Sequence, residues 1–236
     1  MTHATLIGVA GSHPSLAAEL MLRHKGIPYT RYDLPNISHR AILPLLRYRA
    51  TTVPVMKLDG RRVTTTRRIA RALDALQPAP PLVTGEAMER AEAWADDTLQ
   101  DTVRRLTRWA VVHDSEAMAS FLAGAHPPVT ALAPLLPVLR PAIGLQMRVP
   151  DTAAQACAQA LPAALDRVDA LLAEGVIGGE QANAADFQVA TCVRLAMTLD
   201  QLRERIAARP AGAHALRICP DYPGRLRAVV PEEWLA

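Results

Sequence analysis

The first residues in the chain able to do chemistry are Gly8-Val-Ala-Gly11-Ser12, which follow the apolar run Thr5–Ala10. A glycine turn between a strand and a helix is where backbone N–H groups cradle nucleotide phosphates. Two departures argue against that use. The third glycine of a dinucleotide fingerprint would fall at Pro14, and no Gly-Lys-Ser/Thr follows to make a P-loop. Asp33 stands about where a ribose-binding acid would, but the later chain offers no further strands alternating with helices. Ser12 lies just before a helical spacing that begins at Leu16, where free backbone N–H groups favour an anion. Either Ser12 hydrogen-bonds such an anion, or Ser12 or Ser15 simply caps the helix.

Other reactive side chains give weaker patterns. There is no HExxH, and His13, His24, His39, His113, His126 and His214 show no metal-ligand spacing, so no metal site is expected. Cys157, Cys192 and Cys219 are odd in number, with no CxxC pair, and read as unpaired thiols in a reducing compartment, two of them buried. All but Lys25 and Lys57 of the 26 basic residues are arginine, set against 23 acids for a net charge of +3. The arginines are scattered, with small groups at Arg67/Arg68/Arg71, Arg104/Arg105/Arg108 and Arg203/Arg205/Arg209. Those groups read as solvated helix faces, since a nucleic-acid binder would cluster them on one element.

The elements that must position these residues follow from periodicity. After the first strand, Leu16–His24 has helical spacing and Lys25-Gly26 closes it. Tyr29–Leu34 alternates like a strand, and Ser38–Arg47 is a weaker helical patch interrupted by Pro44. Val53–Leu58 and Arg62–Thr64 read as strands joined by the hairpin dipeptide Asp59-Gly60, and Arg67–Leu76 returns to helix. The order is β-α-β-α-β-β-α. Helix signals dominate from Gly85 onward: Glu86–His113, Thr152–Glu174, and Asn183–Arg205 opened by Asn183 as N-cap with Asp186 three residues on. The tail beyond Pro210 is expected to pack irregularly. The uncharged stretch Ala117–Leu139 is broken by Pro127, Pro128, Pro134 and Pro137, so it reads as a proline-rich connection with one short helix at most, not a membrane span. A composition 50% apolar and 21% charged excludes a wholly disordered chain. No secretory leader is evident.

In this order the segments resemble the glutathione transferase superfamily. Ser12-His-Pro-Ser-Leu through Lys25-Gly-Ile-Pro-Tyr29 is similar to the family's active-site turn, first helix and exit. Val53-Pro54, Leu58-Asp-Gly60 and Thr65-Thr66-Arg-Arg-Ile69-Ala-Arg-Ala-Leu73 are similar to its Val-Pro, hairpin and following helix, and Asn183-Ala-Ala-Asp186 to the motif opening its central second-domain helix. The resemblance implies an α/β thioredoxin-like N-terminal domain followed by an all-α C-terminal domain: residues 1–77, a linker at 78–85, and residues 86–236. It implies glutathione as co-substrate, Ser12 as the catalytic hydroxyl, and Val53, Pro54, Thr65 and Thr66 as the glutathione site, with Val53–Pro54 cis. No metal, nucleotide, nucleic acid or membrane partner is implied. A small hydrophobic electrophile, a homodimer and a cytoplasmic location are, as is a division of the apolar half between two cores, their interface and a subunit contact.

Two serines in place of a CPxC pair leave no dithiol chemistry at the turn, and no mixed disulfide with glutathione can form there. The family's acid or glutamine before the serine of that helix is Thr65 here, which supplies no ionic partner for an ammonium. Trp94, Trp109, Met118 and Phe121 are candidates for the hydrophobic substrate wall, though their spacing also suits a core. The alternative function is a binding or structural module of the same fold, with weak or absent catalysis.

Overall fold

Alternation in β1 (Ala4–Gly8) sends Ala4 and Leu6 to one face of a sheet and Ile7 to the other. β2 (Tyr29–Asp33) pairs parallel to β1 with Leu6 opposite Arg31. β3 (Val55–Leu58) pairs antiparallel with Leu6 opposite Met56, and β4 (Arg61–Thr64) completes the order β2-β1-β3-β4 across the Asp59-Gly60 turn. This computed structural model describes residues 3–36 and 38–235, with the backbone alone at 132, 133 and 136. Met1, Thr2, Ile37 and Ala236, though inside the spans read as domains, lie outside the described residues.

Helices cover both faces of the sheet. α1 (His13–His24) and α3 (Thr66–Leu76) pack with Leu6 and Met56, while α2 (His39–Leu45) lies over Ile7 and Val55 with Leu43 and Tyr48. The N-terminal part is thioredoxin-like and all that follows is helical, as expected. α4 (Glu86–Trp94) passes through a π turn at Ala95–Leu99 into α5 (Gln100–His113). Then come α6 (Ala117–Phe121), α7 (Leu136–Met147), α8 (Asp151–Ala173), α9 (Ala184–Ala196), α10 (Asp200–Ala207) and α11 (Pro210–Ile218).

Three expectations change. The Ala117–Leu139 stretch holds α6, a 3-10 segment at Val129–Leu135 and the start of α7, because Pro137 sits in the first turn of α7, where no N–H is needed. Pro210 likewise opens α11, so that part of the tail is a helix. Asn183–Arg205 is two helices. The break at Thr198–Leu199 lets those residues pair with Leu226, whose N–H donates to the Thr198 carbonyl at 2.8 Å. No helix among the described residues is long and apolar enough to cross a membrane.

The two-core expectation is also corrected. One continuous apolar cluster runs from Leu6 and Met56 through Ile69 and Leu73 to Met88, Leu99, Ala190 and Val193, and the second cluster is the small one beneath α2. The bridge is α9, buried on nearly every side and in contact with α1, α3, α4, α5 and α11. Its start is held as expected: Asn183 Oδ1 accepts from the Ala185 and Asp186 N–H groups, and Asp186 Oδ2 accepts from Asn183 N–H at 2.8 Å. A polar clamp reinforces the join. Lys25 Nζ, fully buried, lies 2.5 Å from Asp74 Oδ1 and donates to the Gln77 carbonyl. Asp74 in turn accepts from the Leu82 and Val83 N–H groups, and the Leu82 carbonyl accepts from Ala184 N–H.

Candidate active site

The turn after β1 reverses through Gly11 at φ +71°, a conformation glycine adopts without strain. Ser12 follows as N-cap of α1, with extended backbone. Its Oγ accepts from Ser15 N–H at 3.4 Å and from the Ser15 hydroxyl at 3.0 Å, and its carbonyl accepts from Leu16 N–H. A hydroxyl oxygen has two acceptor positions and one donor hydrogen. With both positions engaged by Ser15, Ser12 is left to donate. Pro14 has no N–H, so the donors of this helix end narrow to Ser12 Oγ and the His13 backbone N–H.

The Val53–Pro54 bond is cis. Neither the N–H nor the carbonyl of Val53 is taken by a backbone hydrogen bond among the described residues. Pro54 is buried behind it, and its carbonyl accepts from Thr65 N–H at 3.3 Å. Thr65 is exposed at φ +67°, a strained setting for a β-branched residue, and caps α3 by accepting from Arg68 N–H. Thr66, the first residue of α3, is buried.

A cleft of about 380 Å³ opens beside Ser12. Its helical wall is the α5 stripe Arg104, Thr107, Arg108 and Val111, spaced i, i+3, i+4, i+7. Leu139, Ile143 and Met147 of α7 add apolar surface, and Met118 and Phe121 close the side near Gly11. His39 and Arg40 of α2 also line it. Backbone ties fix the rim: Gln146 Nε2 donates to the Asn36 carbonyl at 3.2 Å, and Asp33 Oδ2 accepts from His126 N–H at 3.0 Å. Asp33 is thus a buried structural acid that also pairs with Arg31.

The cleft is cationic. Arg104 is paired with Asp101 at 2.8 Å, but Asp101 is shared with Arg105 at 2.6 Å. Arg108 is partly buried and bonds no charged partner among the described residues; burial and the neighbouring Arg104 and Arg40 charges pull its pKa below the usual value. His13 Nε2 meets Gln100 Oε1 at 3.1 Å, and burial with the Arg104 charge drops its pKa to about 3, so its ring is neutral. The three cysteines are free; Cys192 and Cys219 are buried, and burial raises all three thiols.

The far end of the chain completes the turn. Tyr222 donates its hydroxyl to the Gly11 carbonyl at 2.8 Å, across 211 positions. The Phe121 ring lies so close to Gly11 and Gly224 that neither has room for a side chain.

The cleft therefore brings Ser12 and Val53 together, while Pro54, Thr65 and Thr66 are not among its lining residues. Of the four candidate wall residues, Met118 and Phe121 line it. Trp109 instead packs on Trp234 and His113 and donates to Asp151, and Trp94 packs against the core. The arginine group 104/105/108 is corrected: Arg104 and Arg108 face the cleft rather than open solvent. Their spacing with Thr107 and Val111 was the available signal, but only the approach of α2 and α7 makes that face concave.

Residues 6–81 match the family described as "Glutathione S-transferase, N-terminal domain". A GST-like protein from Pseudomonas syringae is 19% identical with a TM-score of 0.61, covering 96% of this chain and 70% of its own. A Tau class glutathione S-transferase from mango, Mangifera indica, is 14% identical with a TM-score of 0.60 over 92% and 89%. A glutathione S-transferase of Ceriporiopsis subvermispora, solved in complex with glutathione, is 17% identical with a TM-score of 0.61 over 97% and 99%. No curated protein matches by sequence.

Proposed function

We infer the function of a chain that carries a glutathione S-transferase N-terminal domain at residues 6–81, within the glutathione transferase superfamily's fold: it binds glutathione and uses the thiolate against a small apolar electrophile. The observation that carries this reading is the meeting of Ser12 and Val53 on one cleft. A free cysteine thiol, with a pKa of about 8.5, is mostly protonated at neutral pH. A donating Ser12 hydroxyl and the N-terminal end of α1 favour the anion. The thiol proton passes to water. The sulfur lone pair then forms the new bond to the electrophilic carbon, and the leaving group departs with its bonding pair.

Val53, whose N–H and carbonyl take no backbone hydrogen bond among the described residues, suits the cysteinyl backbone of the peptide. Thr65 and Thr66 at the N-terminus of α3, with Arg67 adding charge, suit the γ-glutamyl carboxylate. The same reading divides the chain at 1–77, 78–85 and 86–236, and makes it a cytoplasmic homodimer with no metal, nucleotide, nucleic acid or membrane requirement. A second reading, a binding module without turnover, is favoured by Thr65. The ammonium of glutathione lacks an ionic partner there, a loss of about 1.5–3 kcal/mol in affinity.

Thermal denaturation with millimolar glutathione and turnover of a generic electrophile test the reading. Bound glutathione raises Tm. Ser12→Ala lets the bound thiol's pKa return toward its free value and lowers kcat/KM at neutral pH about tenfold or more. No Tm shift together with no turnover overturns it; a shift without turnover selects the second reading.

A further inference from the structure

The cleft holds more positive charge than a thiolate site requires. α5 contributes Arg104 and Arg108 from one stripe, and α2 contributes Arg40. The carboxylate bonded to this group, Asp101, already serves Arg104 and Arg105. Neither Arg108 nor Arg40 has a hydrogen-bond or ion-pair partner among the described residues, although Arg108 is withdrawn from water. A guanidinium held partly out of water without a bonded counter-charge is costly, and its planar fork matches a carboxylate in two parallel bonds. His13 on the same wall stays neutral and adds no charge of its own. Ile143 and Met147 of α7, with Val111 and Phe121, give the same cavity an apolar part of its lining. Charge and apolar surface therefore lie side by side in one cavity.

We propose that the second-substrate pocket of this chain selects organic anions, an apolar body lying against α7 and Phe121 with its carboxylate held by Arg108 beside Arg104. The proposal rests on reading this cleft as the place where the electrophile binds, but its test does not require glutathione. Isothermal titration of the full chain compares 2-naphthoate with 2-naphthamide, which share shape and differ in charge. Naphthoate binds roughly tenfold or more tightly than the amide, and the ratio shrinks as salt is raised. Arg108→Gln collapses the ratio to within about threefold, Arg104→Gln reduces it partway, and the surface control Arg90→Gln leaves it unchanged. Equal affinities in the unaltered protein, or a ratio that survives both cleft substitutions, overturn the proposal. So does an Arg108→Gln protein that loses glutathione affinity while keeping its preference for naphthoate, since Arg108 would then serve the peptide. A chain that prefers naphthoate but ignores glutathione overturns the transferase reading and leaves this one standing.

Discussion

Ser12 owes its donor role to Ser15. Ser15 is fully buried and aims both its N–H and its hydroxyl at the Ser12 oxygen, so the remaining Ser12 hydrogen is polarised outward. Ser15→Ala frees one acceptor position and weakens that donation. The expected result is a kcat reduced about threefold to tenfold with KM for glutathione little changed, read from steady-state kinetics beside Ser12→Ala. A matched rise in KM with kcat intact would assign Ser15 to binding instead. The two serines were legible from their place before a helical spacing. Arg108 was not, because a charged residue on an amphipathic helix looks solvated until the elements opposite it are known. Thr65 was legible as a cap, while its positive φ depends on how β4 hands over to α3.

At the scale of elements, the join between sheet and helices depends on a few polar anchors set within apolar packing. Lys25 closes α1, and through Asp74 it holds the backbone of Leu82 and Val83, which leads into α4 and whose Leu82 carbonyl accepts from the first N–H of α9. Lys25→Met leaves Asp74 without its cation in a mostly buried site and is expected to destabilise the protein by about 3 kcal/mol, measured as a lower denaturant midpoint. An unchanged midpoint would show that the linker is held by the apolar core alone. Local chemistry made several elements readable: Asp59-Gly60 for the hairpin, Lys25-Gly26 for the end of α1, Asn183 and Asp186 for the start of α9. The break between α9 and α10 has no such mark. It comes from a pairing with Leu226, far along the chain, which periodicity does not see.

For the whole molecule, the cost of burying histidine falls on acid stability. His13 is held near pKa 3 in the fold against about 6.5 when unfolded, so between those values the unfolded chain binds the extra proton. Stability is full above pH 6.5 and declines as pH falls, by roughly 1.4 kcal/mol per pH unit from this residue alone. Burial lowers His24 and His39 as well, with the same sign. Glu92, Asp96 and Asp186, whose carboxyls burial pushes up, act in the opposite sense, so a comparison with His13→Gln isolates the histidine. Tm of the unaltered protein is expected to fall more steeply than that of His13→Gln from pH 6.5 to 4.5. Parallel curves would remove His13 as the cause.

The link from Tyr222 to Gly11 also bears on how the protein is made. Tyr222 is made 211 positions after Gly11, whose carbonyl it grips beside Ser12. At 5–20 residues per second, that is a wait of about 10–40 s. A nascent chain can form its sheet during that time, but the turn next to Ser12 is gripped only once Tyr222 has been synthesised. Ser12 is made long before its turn is held.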